Sequence, residues 1–225
     1  MPETILLPTA SVITCTSAFN ANYDIVWSFQ YSLCGGANAS AGFTTFLYSN
    51  SNPISAGGIG KALGYGPSTN YTGYSNISAI SGAVLAVAFD TDGAFAATGN
   101  GFTTGTTAYP NSLTIRSGMT YLSSTQLSAI DSNFTLLSTA EVFNTLRFRL
   151  TNVGQSITIS KLNQSTMKFV DIYNANTYLN VLSSTTYQIG ISYASPVSGN
   201  NKAFALQIKD LHLHGTSEVP TTVNY

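Results

Sequence analysis

Runs of β-branched and aromatic residues alternate with clusters of Gly, Asn and Ser at short spacing along most of the chain. This pattern is typical of antiparallel β-sandwiches, in which many short strands are joined by turns. The predicted strands are residues 23–33, 42–48, 83–89, 113–115, 143–150, 156–162, 187–193 and 203–213. We therefore expect an all-β fold, a sandwich of two antiparallel sheets.

The alternation within the predicted strands assigns side chains to the two faces of a sheet. In residues 143–150, Leu146, Phe148 and Leu150 recur at every second position and are expected to face the core. Only residues 124–130 read as helical, beginning at a serine that is suited to cap a short turn.

The organisation of the chain indicates one domain. No repeat of fixed period and no linker is seen, so residues 1–225 are expected to form a single unit. Residues 1–18 and 216–225 are expected to be terminal arms suited to packing on partners. Two long irregular segments, residues 49–80 and 91–111, are rich in Gly, Asn, Ser and Tyr. Loops of this length usually bind something or pack against something.

Charge is scarce in this sequence. Only 8% of the residues are charged, against roughly 25% in typical soluble domains. The net charge is -1 and there is no stripe of Lys or Arg, so no nucleic-acid partner is expected. No apolar run approaches the ~18 residues that span a bilayer, so no membrane partner is expected either. A surface of hydroxyls and amides gives little repulsion between copies, which favours a homo-oligomer or a larger assembly.

The N-terminal segment and the cysteines bear on the compartment. Residues 1–8 begin with Met, lack a basic start and contain prolines, so a secretory signal is not expected. Cys15 and Cys34 flank a predicted hairpin, and strand pairing would bring them within reach of a disulfide. The alternative, which we favour, is two buried thiols that behave as small apolar residues.

Five segments resemble, in order and spacing, the motifs of the legume-type (L-type) lectins. Residues 41–48 (A-G-F-T-T-F-L-Y) resemble the family's A-D-G strand, residues 57–66 its G-G loop, and residues 84–91 (V-L-A-V-A-F-D-T) its V-A-V-E-F-D-T strand. Residues 111–117 stand where H-I-G-I-D-V-N-S would follow, and residues 187–194 resemble Y-x-V-G-F-S-A. The resemblance implies a concanavalin-like jelly roll and a sugar site at its loops.

Several of the family's sugar and metal positions differ in this chain. The Asp that accepts hydrogen bonds from sugar hydroxyls is Ala41 here, and the Glu that helps to hold the transition metal is Ala88. The metal-binding His is replaced by Asn111 or Ser112. The lost carboxylates and imidazole are ligands that a calcium and manganese pair requires. The resemblance therefore implies a lectin-like fold with a degenerate site.

Asp90 and Gly58 are the family positions that survive. Asp90 and Asp92, together with Asn100, are candidate ligands of a single calcium ion. The alternative, which we favour, is that Asp90 caps the end of a strand and Asp92 and Gly93 form a turn. On that interpretation the protein has no cofactor.

Catalytic chemistry is not expected. Glycosidases need two carboxyl groups that face each other, about 5–5.5 Å apart in retaining enzymes, and the chain's glutamates are only Glu3, Glu141 and Glu218. His212 and His214 share a face of the last predicted strand, a spacing suited to a metal, but no third ligand is evident and a surface pair is favoured.

Tyrosines are dense in the predicted loops, at positions 65, 71, 74 and 109. Exposed aromatic rings stack on sugars and also anchor protein interfaces, and both uses stay open. The candidate glycan-binding residues are Gly58, Asn100, Tyr65 and Tyr109, around a pocket formed with Ala41 and residues 57–60 and 183–184.

Two functions are compatible with these observations. The first is a structural protein of a virus or bacteriophage particle, a capsid-decorating, knob or fibre subunit exposed at the virion surface. The degenerate site, the uncharged surface and a similarity to lectin-like, low-charge phage structural proteins favour it, with other virion proteins, itself and cell-surface glycans as partners. The alternative is an extracellular carbohydrate-binding module that uses aromatic rings and loop amides.

Overall fold

A computed structural model describes residues 10–15, 17–20, 24–35, 42–49, 54–69, 75–99, 101–130, 134, 136–138, 141–151, 155–177, 186–194 and 204–216. Within these ranges nearly all of the regular secondary structure is β-strand, arranged in two antiparallel sheets, so the predicted sandwich is confirmed. No helix in the described ranges is long and apolar enough to cross a membrane.

The described ranges contain twelve strands. They are β1 Ala10–Thr14, β2 Phe19–Asn20, β3 Asp24–Gly35, β4 Gly42–Ser49, β5 Ala83–Asp90, β6 Ser112–Ser117, β7 Thr120–Gln126, β8 Asn144–Thr151, β9 Ser156–Asn163, β10 Lys168–Asn176, β11 Thr186–Ala194 and β12 Phe204–Thr216. One helical turn, α1 Leu127–Ile130, follows β7, and two 3-10 turns, Gly60–Ala62 and Ala94–Ala96, lie in the long loops.

The sheets have seven and five strands. The seven-stranded sheet runs β1-β11-β4-β5-β6-β7, and β2 also pairs with β11. The five-stranded sheet runs β10-β9-β8-β3-β12. β5 and β6 are adjacent inner strands of the first sheet. The loop that joins them therefore begins and ends at inner strands and not at an edge strand.

The main core lies between the sheets and is dominated by aromatic rings. Trp27 stacks on Phe148 with ring centroids 5.1 Å apart, and its indole N–H donates to the Thr45 hydroxyl at 3.1 Å. Phe43 and Phe89 stack at 5.2 Å on the facing sheet. These rings are fully buried, and burial of such large apolar surfaces is the main stabilising term of the fold.

A second core covers the outer face of the seven-stranded sheet. Its buried members come from β4, β5 and the two long loops: Phe46, Tyr48, Leu63, Tyr65, Ile80, Ala86, Ala88, Phe95 and Phe102. The described parts of residues 54–80 and 91–111, which we call the covering loops, are therefore packed layers of the protein. The sheet face beneath them is not an open groove.

Several details differ from the sequence predictions. Strands β1, β2, β7 and β10 were not predicted, and the predicted helix at residues 124–130 is reduced to α1 because its first half belongs to β7. Within the N-terminal arm predicted for residues 1–18, residues 10–14 form β1, which is hydrogen-bonded to β11. Residues 1–9 and 217–225 lie outside the described ranges. Leu146, Phe148 and Leu150 face the core as predicted.

The cysteines do not lie in one hairpin. Cys15 follows β1 at the seven-stranded sheet, whereas Cys34 lies on β3 of the five-stranded sheet. Neither thiol is in a disulfide, so the disulfide alternative is wrong, and both are partly exposed, whereas the favoured alternative predicted buried thiols. Cys34 lies 3.2 Å from the Ser32 hydroxyl.

Candidate functional site

The loop from β5 to β6 starts at Asp90, whose carboxyl group caps the loop's own backbone. Its two oxygens accept hydrogen bonds from the backbone N–H groups of Phe95 at 2.8 Å and Asp92 at 3.3 Å. The Asp92 carboxylate in turn accepts the N–H of Ala94 at 2.9 Å. Both carboxyl groups thus act as acceptors within a tight turn, which Gly93 allows with its positive φ of 71°.

Burial perturbs the Asp90 carboxyl group. Asp90 is 1% exposed, and this loss of hydration raises its pKa well above the ordinary value. The neighbouring Asp92 charge and a hydrogen bond between the two side chains raise the pKa further, while the two backbone N–H donors oppose the shift.

The residues around Asp90 do not fit the calcium and manganese pair of the lectin family that the sequence resembles. The Asp90 oxygens already accept backbone N–H groups, and the same face of β5 offers only Ala88 beside it. The Asn111 amide is bonded to the backbone of Phe134 and Leu136. Across the sheet, the buried Ser112 hydroxyl has no partner, but a single neutral hydroxyl adds no charge. In the described part of the chain no three His, Cys, Asp or Glu side chains form a group suited to a metal ion.

A buried arginine lies beneath the same loop. Arg116, on β6, is 0% exposed, and its guanidinium lies 3.9 Å from the ring centroid of Phe102. It donates hydrogen bonds to the backbone carbonyls of four residues: Phe95 O from Nε at 3.1 Å and from Nη2 at 2.8 Å, Thr104 O and Met119 O from Nη1 at 2.9 Å each, and Ala97 O from Nη2 at 3.3 Å. This side chain was not singled out from the sequence. The only signal was one charged residue on a strand that otherwise alternates between apolar and hydroxyl side chains.

Two of the predicted glycan-binding residues are inaccessible. Tyr65 is fully buried in the second core and its hydroxyl donates to the carbonyl of Gly118 at 3.0 Å, so the prediction that it is exposed is wrong. Gly58 is also buried, and an added Cβ would collide with Ser68. Both serve the packing of the first covering loop. Ala41, Asn100 and residues 183–184, which the predicted pocket includes, lie outside the described ranges, as do the tyrosines at positions 71 and 74.

Tyr109 is the predicted site residue that reaches solvent. It is 44% exposed, the largest exposure of any aromatic side chain in the described ranges. Its backbone packs directly against Gly93, where an added Cβ would collide with the Tyr109 carbonyl oxygen. Exposed threonines at positions 103, 104, 106 and 107 line the same loop. The structure therefore brings Tyr109 next to the Asp92 turn, on a hydroxyl-rich rim.

The remaining candidate side chains are separate from this rim. His212 is exposed on β12, at the edge of the five-stranded sheet, and the side chain of His214 lies outside what the structure describes. Of the three glutamates, only Glu141 is in the described ranges, and it is exposed ahead of β8.

Comparison with known proteins supports the fold. No protein-family model matches the chain, and no curated protein sequence matches it. Among solved structures, a lectin from Bauhinia forficata in complex with GalNAc shares 14% identity over 94% of this chain and 82% of that chain, with a TM-score of 0.60. Lectin UEA-II complexed with galactose shares 11% identity over 94% and 84%, with a TM-score of 0.58.

A third structure extends the comparison beyond these two lectins. The Emp46p carbohydrate recognition domain in its potassium-bound form shares 12% identity over 92% of this chain and 79% of that chain, with a TM-score of 0.54. Identities this low establish shared architecture only. The chain has the concanavalin A-like lectin fold.

Proposed function

We propose that this chain is a carbohydrate-binding module without enzymatic activity, and that the rim around Tyr109 contacts the sugar. The observation that carries this proposal is the exposed Tyr109 ring on a loop that is fixed from beneath. The solved structures with this architecture include lectins in complex with GalNAc and with galactose, which supports the same class of ligand.

The rim has the chemistry that a sugar requires. A phenol ring offers an apolar face to the C–H face of a pyranose and a hydroxyl at its edge. The threonines at positions 103, 106 and 107 add exposed hydroxyls that both donate and accept hydrogen bonds. The backbone behind them is anchored by the bond from the Thr106 N–H to the Ala96 carbonyl at 2.9 Å. Such preorganisation lowers the entropy cost of binding.

Catalysis is not part of this proposal. The neighbouring carboxyl groups of Asp90 and Asp92 cap backbone N–H groups and are hydrogen-bonded to each other. A glycosidase needs an acid and a base on opposite sides of an accessible bond, whereas Asp90 is buried.

Glycan-array binding of the purified chain, followed by calorimetry with the best sugar, tests the proposal. We expect Tyr109→Ala to weaken binding about tenfold, as loss of one aromatic stacking contact would. Val142→Ala is the matched control, because Val142 is a comparably exposed apolar residue ahead of β8, and it should bind like the wild type. If Tyr109→Ala binds the sugar with the affinity of the wild type, the sugar site is not at Tyr109. If the wild type binds no glycan, the proposed function is refuted.

A structural subunit of a virus or phage particle is the second proposal. The 8% content of charged residues supports it, because such a surface opposes self-association weakly. Light scattering tests this role. A stable closed oligomer with no glycan signal would support a particle subunit at the virion surface, and a monomer that binds a defined sugar would refute it in favour of the extracellular module.

A further inference from the structure

The guanidinium of Arg116 lies where separate segments of the second covering loop meet. Its hydrogen bonds join the 3-10 turn at Phe95, the loop at Thr104 and the β6–β7 turn at Met119. Every acceptor is a backbone carbonyl oxygen. No acidic side chain contacts it in the described ranges, so the positive charge is balanced by peptide dipoles and by the faces of aromatic rings.

A convergence of carbonyl oxygens on one positive charge is also how proteins bind metal cations. Here the charge is covalently part of the chain, and it uses the carbonyls that the loop would otherwise offer to an ion. Phe95 links the two ends of the arrangement, because its N–H donates to the Asp90 carboxyl and its carbonyl accepts from Arg116. Burial lowers the pKa of Arg116 to about 10, so the group is charged at neutral pH.

We propose that Arg116 is a built-in cation that orders the loop carrying Tyr109, so that the candidate sugar site functions without a divalent metal ion. The sugar-binding part rests on the proposed function, whereas the ordering of the loop does not. A divalent ion beside Asp90 would have to displace two backbone N–H donors.

The first test uses the wild-type protein and three conditions: excess Ca²⁺, excess Mn²⁺ and excess EDTA. A metal that binds the folded state raises Tm in proportion to the logarithm of its concentration. We expect Tm to agree within about 1 °C in all three conditions. A rise of several degrees with either metal, reversed by EDTA, would overturn the proposal.

The second test measures amide hydrogen exchange of the loop in Arg116→Lys and Arg116→Met. Lysine keeps the charge but has no planar fork to reach carbonyls on three sides. Both variants should lose protection in residues 93–109 by at least about tenfold, and Arg116→Met should lose more. Fluorescence of Trp27, which lies in the main core, reports whether the sandwich stays folded. Arg149→Met is the matched control, because Arg149 is exposed and pairs with Asp24.

Unchanged loop protection in Arg116→Met would overturn the proposal. If that variant does not fold, Arg116→Lys and the metal series on the wild type decide it. A glycan-array signal that survives EDTA would extend the inference to the sugar site. If no glycan binds, the proposed function is refuted. The role of Arg116 in ordering the loop is then decided by the hydrogen-exchange and melting experiments.

Discussion

Asn111 provides a quantitative test of how the loop that carries Tyr109 is anchored. It closes the loop, since its N–H donates to the Thr91 carbonyl at 2.9 Å. Its side-chain Nδ2 donates to the Phe134 carbonyl at 3.0 Å, and its Oδ1 accepts the Leu136 N–H at 3.0 Å. Its φ of 57° lies in the left-handed region, which Asn tolerates better than most residues.

Two substitutions separate these contributions. Asn111→Gly removes both side-chain hydrogen bonds, each worth about 0.5–1.5 kcal/mol, so the loss is about 1–3 kcal/mol. Glycine adopts positive φ freely, so no strain is added. Asn111→Ala removes the same bonds and adds a left-handed alanine, which costs about 1 kcal/mol more. The expected order of stability is wild type, then Asn111→Gly, then Asn111→Ala.

Urea denaturation followed by Trp27 fluorescence measures these differences. Asn174→Ala is the control, because Asn174 is an exposed amide on β10 whose one described side-chain bond is to Thr158. It should lie within about 0.5 kcal/mol of the wild type. The reasoning fails if Asn111→Ala is as stable as Asn111→Gly, or if both equal the control.

Two further predictions concern the Asp90 turn. Because the folded pKa of Asp90 is raised, the folded state holds a proton that the unfolded state releases, and stability falls as pH rises from about 4 through that pKa. Asp90→Asn should remove this fall in stability. The urea midpoint of the variant should therefore rise relative to that of the wild type between pH 4 and pH 8, and a difference in midpoint that does not change with pH would contradict the prediction. Gly93→Ala should cost about 1–3 kcal/mol, since it combines a φ of 71° with a clash against Tyr109. Thermal melting measures this, and an unchanged Tm would exclude the clash.

Much of the fold follows from local sequence pattern, and the missed strands show where that pattern stops. β8 has alternating apolar and polar residues, and its inward residues were predicted correctly. β10 is an edge strand with a register shift between Asp171 and Tyr173, which moves its apolar residues out of step with alternation. β7 is rich in Ser and Thr and is only half-buried, so its side chains resemble those of a loop. Pairing with a neighbour determined these strands, and pairing is not a local property.

The candidate site was harder to predict, for a related reason. Tyr65 and Tyr109 both lie in glycine-rich segments without regular alternation, and both were predicted to be exposed. Tyr65 is buried because Phe46 and Phe95, from two different parts of the chain, pack against its ring. The second core is assembled from such contacts between distant segments. Local composition therefore identifies a loop without revealing which of its aromatic rings points outward.

Arg116 is one of only eight Lys and Arg residues in the chain, and it is buried beneath the loop that it orders. Removing a guanidinium from water is expensive, and the cost is offset only when its donors meet good acceptors. Because the donors point in fixed directions, a loop conformation that moves the carbonyls of Phe95 or Thr104 away leaves a buried charge unsatisfied. Alternative conformations of the loop are thereby disfavoured, while the rim at Thr106 and Thr107 contacts solvent and makes no bond to Arg116. It follows that side-chain substitutions at Thr106 and Thr107 can change which ligand binds beside Tyr109, without changing the loop conformation that positions the Tyr109 ring.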